Sequence, residues 1–264
     1  MHKPHDNHTT GLSSCLLIMD DNHFLVEWLA YHYHSMPLRR LIVAVDPKSK
    51  TSPSEILDRY ASRELMHITI WSDTHYLPSY LDPDMDPVKL YHFRQDCFIS
   101  SCLKTLKQEN RTWTMVINVT LRYQSPKGIK SKPIPGKTLV DLSQISLNEL
   151  SCANANAHRS VKSVCPEMCA FIRTQLSPLV VYQYAGTLPQ FTFRQDGRNS
   201  RTATEYSRRQ YQSWTDDSAS YWSKYFVAQV GTALATQLLE GAGQVERWNG
   251  LVVESKNETP RELS

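Results

Sequence analysis

Four aspartates carry the clearest chemical signal in the sequence. Asp20 and Asp21 end the apolar run Cys15-Leu16-Leu17-Ile18-Met19, Asp46 ends Arg40-Leu41-Ile42-Val43-Ala44-Val45, and Asp73 follows His67-Ile68-Thr69-Ile70-Trp71. In open parallel α/β sheets, ligands bind beyond the carboxyl ends of the strands. Carboxylates at three successive strand ends therefore point to a nucleotide or another polar ligand. Taken singly, each aspartate also fits an ordinary exposed loop, where acids are common. Both readings are open from the residues alone.

The elements that must position these acids are legible around them. Short apolar runs bounded by turn residues read as buried parallel strands. Between the first two, Asn22 to Tyr33 places Leu25, Trp28, Leu29 and Tyr33 on one helical face, with Asp21 or Asn22 as N-cap and Pro37 as the stop. Ser52-Pro53-Ser54-Glu55 combines a capping serine, proline at the first helical position and a glutamate closing a capping box. Ile56, Leu57 and Tyr60 follow at helical spacing. Asp86-Pro87 opens a long helix to Gln108 with Leu90, Phe93, Cys97 and Leu106 on its buried stripe, and Trp113 to Ile117 is a fourth strand. Strands alternating with helices predict an α/β fold with a mostly parallel, Rossmann-like sheet.

Beyond residue 123 the character changes. Residues 124–137 read as a Pro-, Gly- and Lys-rich loop, 138–142 and 179–184 as short strands, and 194–217 as an exposed arginine-rich stretch. Trp222, Phe226, Val230, Leu234 and Leu238 are spaced by four and predict one amphipathic helix, ended by Gly241 and Gly243. Residues 1–11 and 244–264 read as tails, 12–123 as a ligand-binding half and 124–243 as a second half. His32 and His34 are expected at a helix surface, and Trp28 and Trp71 in the core.

Composition narrows the class. At 264 residues, roughly three quarters of the unfolded chain's surface can be buried, so a full core is available. Hydrophobic residues at 41% and charged residues at 21% exclude wholesale disorder. A net charge of +3 without a basic run argues against nucleic acid as partner. No apolar stretch reaches the roughly 18 residues a transmembrane helix needs, and the polar Met1 to Thr10 is not a signal peptide, so the chain alone reads as soluble. The six cysteines read first as buried free thiols. One disulfide involving Cys152, Cys165 or Cys169 is an alternative, as is a loose metal set of Cys165, Cys169 and His158. Asn-x-Thr sequons occur at Asn7, Asn110, Asn118 and Asn257 and matter only in a secretory lumen.

Several segments carry a family resemblance. The stretch from Cys15 through Asp20-Asp21-Asn22-His23 and Glu27-Trp28-Leu29 to His34 resembles the opening of glycosyltransferase family 92 and related family-2-like enzymes, including an algal group. The likeness continues at Leu38 to Pro47, Arg94-Gln95, Arg111 to Trp113, Gly136 to Ser143, His158-Arg159, Tyr182 to Gln190, Arg194 to Asp196 and the Trp222 helix. It spans most of residues 12–243.

The resemblance implies a GT-A-like fold and inverting transfer of a hexose from a UDP-sugar donor to a glycan, glycoprotein or other hydroxyl acceptor. It also implies a Golgi or secretory membrane setting, where relatives carry an N-terminal anchor. Asp20, Asp21, Asp46, Asp73 and Arg94 would then hold the nucleotide. A divalent cation, Mn²⁺ or Mg²⁺, would neutralise the leaving diphosphate. The family's Asp-x-Asp place reads Asn118-Val119-Thr120 in this chain, and its later histidine reads Gln183, so Asn118 and Gln183 stand as degraded metal positions. Asp196, flanked by Arg194 and Arg198, is the candidate catalytic base, with Glu167 as a substitute. The segment before Gly136 is short for the family. That leaves three readings: an active transferase, an internally truncated or inactive relative that at most binds nucleotide sugar, and an α/β interaction module.

Overall fold

A computed structural model describes residues 10–79, 81, 84–118, 138–156, 160–163, 186–193, 202–211, 221–248 and 261–263. The elements of the first half are β1 (Leu12–Ile18), α1 (Asn22–Ser35), β2 (Leu38–Val45), α2 (Ser54–Ala61), β3 (His67–Trp71), α3 (Pro87–Gln108) and β4 (Trp113–Asn118). They are followed by β5 (Thr138–Asp141), β6 (Ala155–Asn156), β7 (Ser160–Val161), α4 (Leu188–Phe193), α5 (Ala203–Tyr211), α6 (Trp222–Val230), α7 (Thr232–Leu238), α8 (Val245–Trp248) and β8 (Arg261–Leu263).

Six strands form one sheet in the order β5-β4-β1-β2-β3-β8. The inner four run parallel, and β5 and β8 lie antiparallel on the two edges. The expected α/β fold with a mostly parallel sheet flanked by helices is thus formed. Side chains alternate across the sheet. Leu16, Ile18, Leu41, Val43, Ile68 and Met115 pack with α1, α2 and the helices α6 to α8. Cys15, Ile42, Ala44, Trp71 and Val116 face the other way, with Phe98, Leu103 and Leu106 of α3. Residues on both sides of the boundary expected at 123 therefore share each core.

Local chemistry explains some helix boundaries and not others. Asp86 caps α3, its Oδ1 accepting from Val88 N and Lys89 N at 3.1 Å, with Pro87 in the first turn. The capping box expected at Ser52 is not made: α2 starts at Ser54 without a side-chain cap, and Glu55 instead bonds Arg59 one turn on, at 2.8 Å. The single helix expected from Trp222 is two helices, α6 and α7, broken at Gly231, whose φ of 87° lies in the region that favours glycine. Ordered structure also continues past Gly243, where the sequence reads as a tail. Trp248 is fully buried in the α1-side core, and β8 pairs with β3.

The buried-thiol reading of the cysteines is overturned for four of them. Cys15 bonds Cys102, tying β1 to α3, and Cys97 bonds Cys152. The first pair meets because α3 lies across the β1 face, and the second because α3 also packs beside the segment that leads into β6. The alternative of a disulfide at Cys152 is realised, with Cys97 as its partner. Cys165, Cys169 and His158 lie outside the described residues.

At the amino end of the sheet Arg40 makes a two-pronged ion pair with Glu109, Nε to Oε2 at 2.8 Å and Nη2 to Oε1 at 2.7 Å, and donates to Thr69 Oγ1 at 2.9 Å. Burial alone would raise the Glu109 pKa, but the Arg40 hydrogen bonds and charge hold it below the usual carboxylate range. Breaking a buried pair from one side costs about 3–5 kcal/mol, and water around the partly open Glu109 reduces that to about 2–3 kcal/mol. Arg40→Met is expected to lose that much in urea unfolding. A loss below about 1 kcal/mol would make the pair an ordinary screened surface bridge.

Candidate functional site

The strand order places a reversal between β1 and β4. The chain builds β1, β2 and β3 outward in one direction, then returns through α3 to add β4 on the other side of β1. In open α/β sheets this switch point opens a ligand crevice beyond the carboxyl ends of the two strands. Asp20, Asp21 and Asn22 follow β1 at that end. Asn118 is the last residue of β4, paired in register with Leu17.

Asp20 holds a φ of 53°, a left-handed conformation that aspartate tolerates better than most side chains. Its buried Oδ1 accepts from Lys50 N at 2.6 Å and Thr51 N at 3.0 Å, with Ser49 Oγ at 3.0 Å and Thr51 Oγ1 at 3.2 Å. Its own N–H donates to Ser49 Oγ at 3.1 Å. Asp20 thus shapes the loop after β2, and this oxygen has little capacity left for a ligand. Its Oδ2 is buried with no hydrogen-bond partner among the described residues. Asp21 is buried at the head of α1, where its carbonyl accepts from Phe24 N and Leu25 N at 2.9 Å.

Asn22 and His23 are functional candidates that sequence reasoning passed over. Asn22 Nδ2 donates to Ser52 O at 2.8 Å, and its buried Oδ1 has no partner among the described residues. His23 is 1% exposed, and neither ring nitrogen finds a partner among the described residues. Its ring packs 4.1 Å from Phe24 and 6.0 Å from Phe193. Burial pulls its pKa down to about 4 against the opposing charge of Asp20, so the imidazole is neutral at pH 7. Buried polar atoms without partners are rare in native proteins and mark places that a ligand or water can satisfy. A polar triplet continuing straight from a strand-end acid pair, Asp21-Asn22-His23, was the available signal.

The second group gathers at the ends of β2 and β3. Asp46 is buried, accepts from Lys48 N at 2.9 Å through Oδ1, and donates its N–H to Ile18 O at 2.9 Å. Asp73 Oδ2 lies 2.9 Å from Arg94 Nη2, and its Oδ1 accepts from the Tyr76 hydroxyl at 2.6 Å. Burial raises the Tyr76 pKa, and the charges of Asp73 and Asp46 raise it further, so this hydroxyl stays a donor. The structure thus joins Asp73 directly to Arg94, sets Asp46 near Tyr76, and keeps Asp20 in a separate loop-building role. Tyr76 was missed; its place one turn beyond Asp73 was the clue.

Asp196 and Gln183 lie outside the described residues, as does Glu167. Among the described residues, no three His, Cys, Asp or Glu side chains come together as a metal-binding group. No helix there is long and apolar enough to cross a membrane. His32, expected at a helix surface, is buried instead. It stacks on Trp28 at 4.1 Å, with its Nδ1 2.7 Å from the Trp28 carbonyl, because α1 is covered by the sheet on one side and by α6 to α8 on another. The chain matches no protein-family model, no curated protein and no solved structure.

Proposed function

We propose that this chain is a glycosyltransferase-like protein that binds a nucleotide sugar, a UDP-hexose by resemblance, at the carboxyl ends of β1, β2 and β3. The observation that carries the reading is the reversal of strand order at β1, with Asp46, Asp73, Arg94 and Tyr76 at the same end of the sheet. In this reading Asp46 accepts hydrogen bonds from the ribose hydroxyls. Arg94, held by Asp73, and the exposed Lys48 and Lys50 of the loop after β2 offer positive charge to the diphosphate.

The divalent cation implied by the resemblance does not fit the described donor set. Asn118 supplies a neutral amide in place of an acid, Asp20 Oδ1 is taken by backbone N–H groups, and Asp73 is paired with Arg94. Hard divalent cations need several charged oxygens free to converge. Donor binding is therefore proposed to be metal-independent. Transfer to a glycan or glycoprotein acceptor in a Golgi-type lumen belongs to the same reading and would need Asp196 as its base.

Calorimetric titration with UDP and a UDP-hexose, with and without Mn²⁺, tests this. Binding is expected in both conditions with equal affinity, weakening as salt rises. Asp46→Asn is expected to weaken it about tenfold, the equivalent of one charge-assisted hydrogen bond at about 1.4 kcal/mol. No binding at millimolar ligand removes the nucleotide reading and leaves the interaction module. Tight binding only with Mn²⁺ restores an active metal-dependent site.

A further inference from the structure

We infer that Asn110 is an N-glycosylation site, occupied in a chain that matures in an oxidising secretory lumen. Nothing in this inference rests on the nucleotide-sugar reading. Its first support is the pairing of Cys15 with Cys102 and of Cys97 with Cys152, across 87 and 55 residues of chain. Such crosslinks form and persist in secretory and extracellular compartments, whereas the cytosol keeps thiols reduced. A sequon that is meaningless in the cytosol becomes an acceptor there.

The second support separates Asn110 from the other sequons. Asn118 ends an inner strand of the sheet, with its backbone in register against Leu17. Asn7 and Asn257 lie outside the described residues. Asn110 is exposed, in the turn between α3 and β4, and its side-chain amide makes no hydrogen bond among the described residues. The residue between it and Thr112 is arginine, so no proline blocks the acceptor motif.

The turn itself is a helix C-terminal motif. Asn110 N donates to Lys107 O at 3.0 Å and Arg111 N to Leu106 O at 2.9 Å, while Asn110 holds a φ of 59°. Glycine is the usual residue at this left-handed position, with asparagine second. Asparagine meets both demands here: it tolerates the backbone and presents a free amide to solvent. Asn110 also precedes the amino end of β4, so a glycan there leaves the carboxyl ends of the strands open.

The transfer needs a lipid-linked oligosaccharide diphosphate as donor. The sugar C1–O bond to phosphate breaks, C1 bonds to Asn110 Nδ2, that nitrogen loses one proton, and the lipid diphosphate leaves. The test takes the native protein from its source cells, digests it without reduction and treats it with peptide:N-glycanase. The expected peptide map shows Asn110 converted to Asp and Cys15 linked to Cys102. With the chain led into the secretory pathway of a eukaryotic host, Asn110→Gly keeps the turn, should not lower the unfolding midpoint relative to the deglycosylated protein, and loses one glycan-dependent gel shift. Thr112→Ser keeps that shift. Recovery of native Asn110 unmodified overturns the inference, and so does alkylation of native Cys15 and Cys102 as free thiols.

Discussion

As pH falls from 7 to 4, two histidines are expected to lower the unfolding free energy by about 6 kcal/mol, roughly 3 each, and Asp96 and Glu27, whose carboxyl pKa values burial raises (Asp96 to about 6), offset part of that loss because the folded state takes up their protons first. His32 is buried against Trp28, and burial holds its pKa down to about 4 despite the Trp28 carbonyl. His23 is held down to about 4 by the same cause. In the unfolded chain both titrate near 6.5. Above that pH both states are neutral and the folded state keeps its full stability. As pH falls below 6.5 the unfolded state takes up protons that the folded state refuses, so stability drops until the folded pKa is reached. Urea midpoints measured across pH 7 to 4, beside an NMR titration of the imidazole rings, check this. An imidazole of His23 or His32 that protonates near pH 6.5 in the folded protein would refute it.

Trp248→Ala is expected to cost about 3–5 kcal/mol, the range for emptying a buried aromatic site. Trp248 is fully buried, and its indole N–H donates to Gly241 O at 3.1 Å. The guanidinium groups of Arg59 and Arg247 each lie 5.5 Å from its ring, and Arg59 Nη1 also donates to Glu240 O at 2.7 Å. Gly241, with a φ of 77°, has no room for a Cβ beside the Trp248 ring. Chemical denaturation of the variant reads the effect directly. A change below about 0.5 kcal/mol, as for an exposed tail residue, would detach α8 from the core.

The four parallel strands were legible because a strand buried on both faces is a continuous apolar run, and such runs need no knowledge of their neighbours. Helix α3 was legible because its start is written locally in Asp86-Pro87. Helix α1 was only partly so. Its buried residues include Asn22, His23 and His32 beside Leu25, Trp28 and Leu29, since it is covered on more than one side, and a wide buried arc blurs the polar face that periodicity depends on. The resemblance drew on Arg40 and Arg111 as motif residues. In the fold both brace the amino end of the sheet, Arg40 through Glu109 and Arg111 through Ser13 Oγ at 2.7 Å and Gly11 O at 2.8 Å.

The sequence by itself determined the alternation of strands and helices and the placing of Asp20, Asp21, Asp46 and Asp73 at strand ends. Those depend on neighbouring residues in the chain. Tertiary structure decided which of these acids stay available. Asp20 turns back on residues 49–51 through a left-handed backbone, and Asp73 meets Arg94 from a helix that crosses the opposite face of the sheet. It also decided that cysteines 87 residues apart would pair and that Trp248 would close the core. The physical reason is the same in each case. Charge neutralisation, crosslinking and burial depend on distances between residues far apart in the chain, which local spacing does not encode.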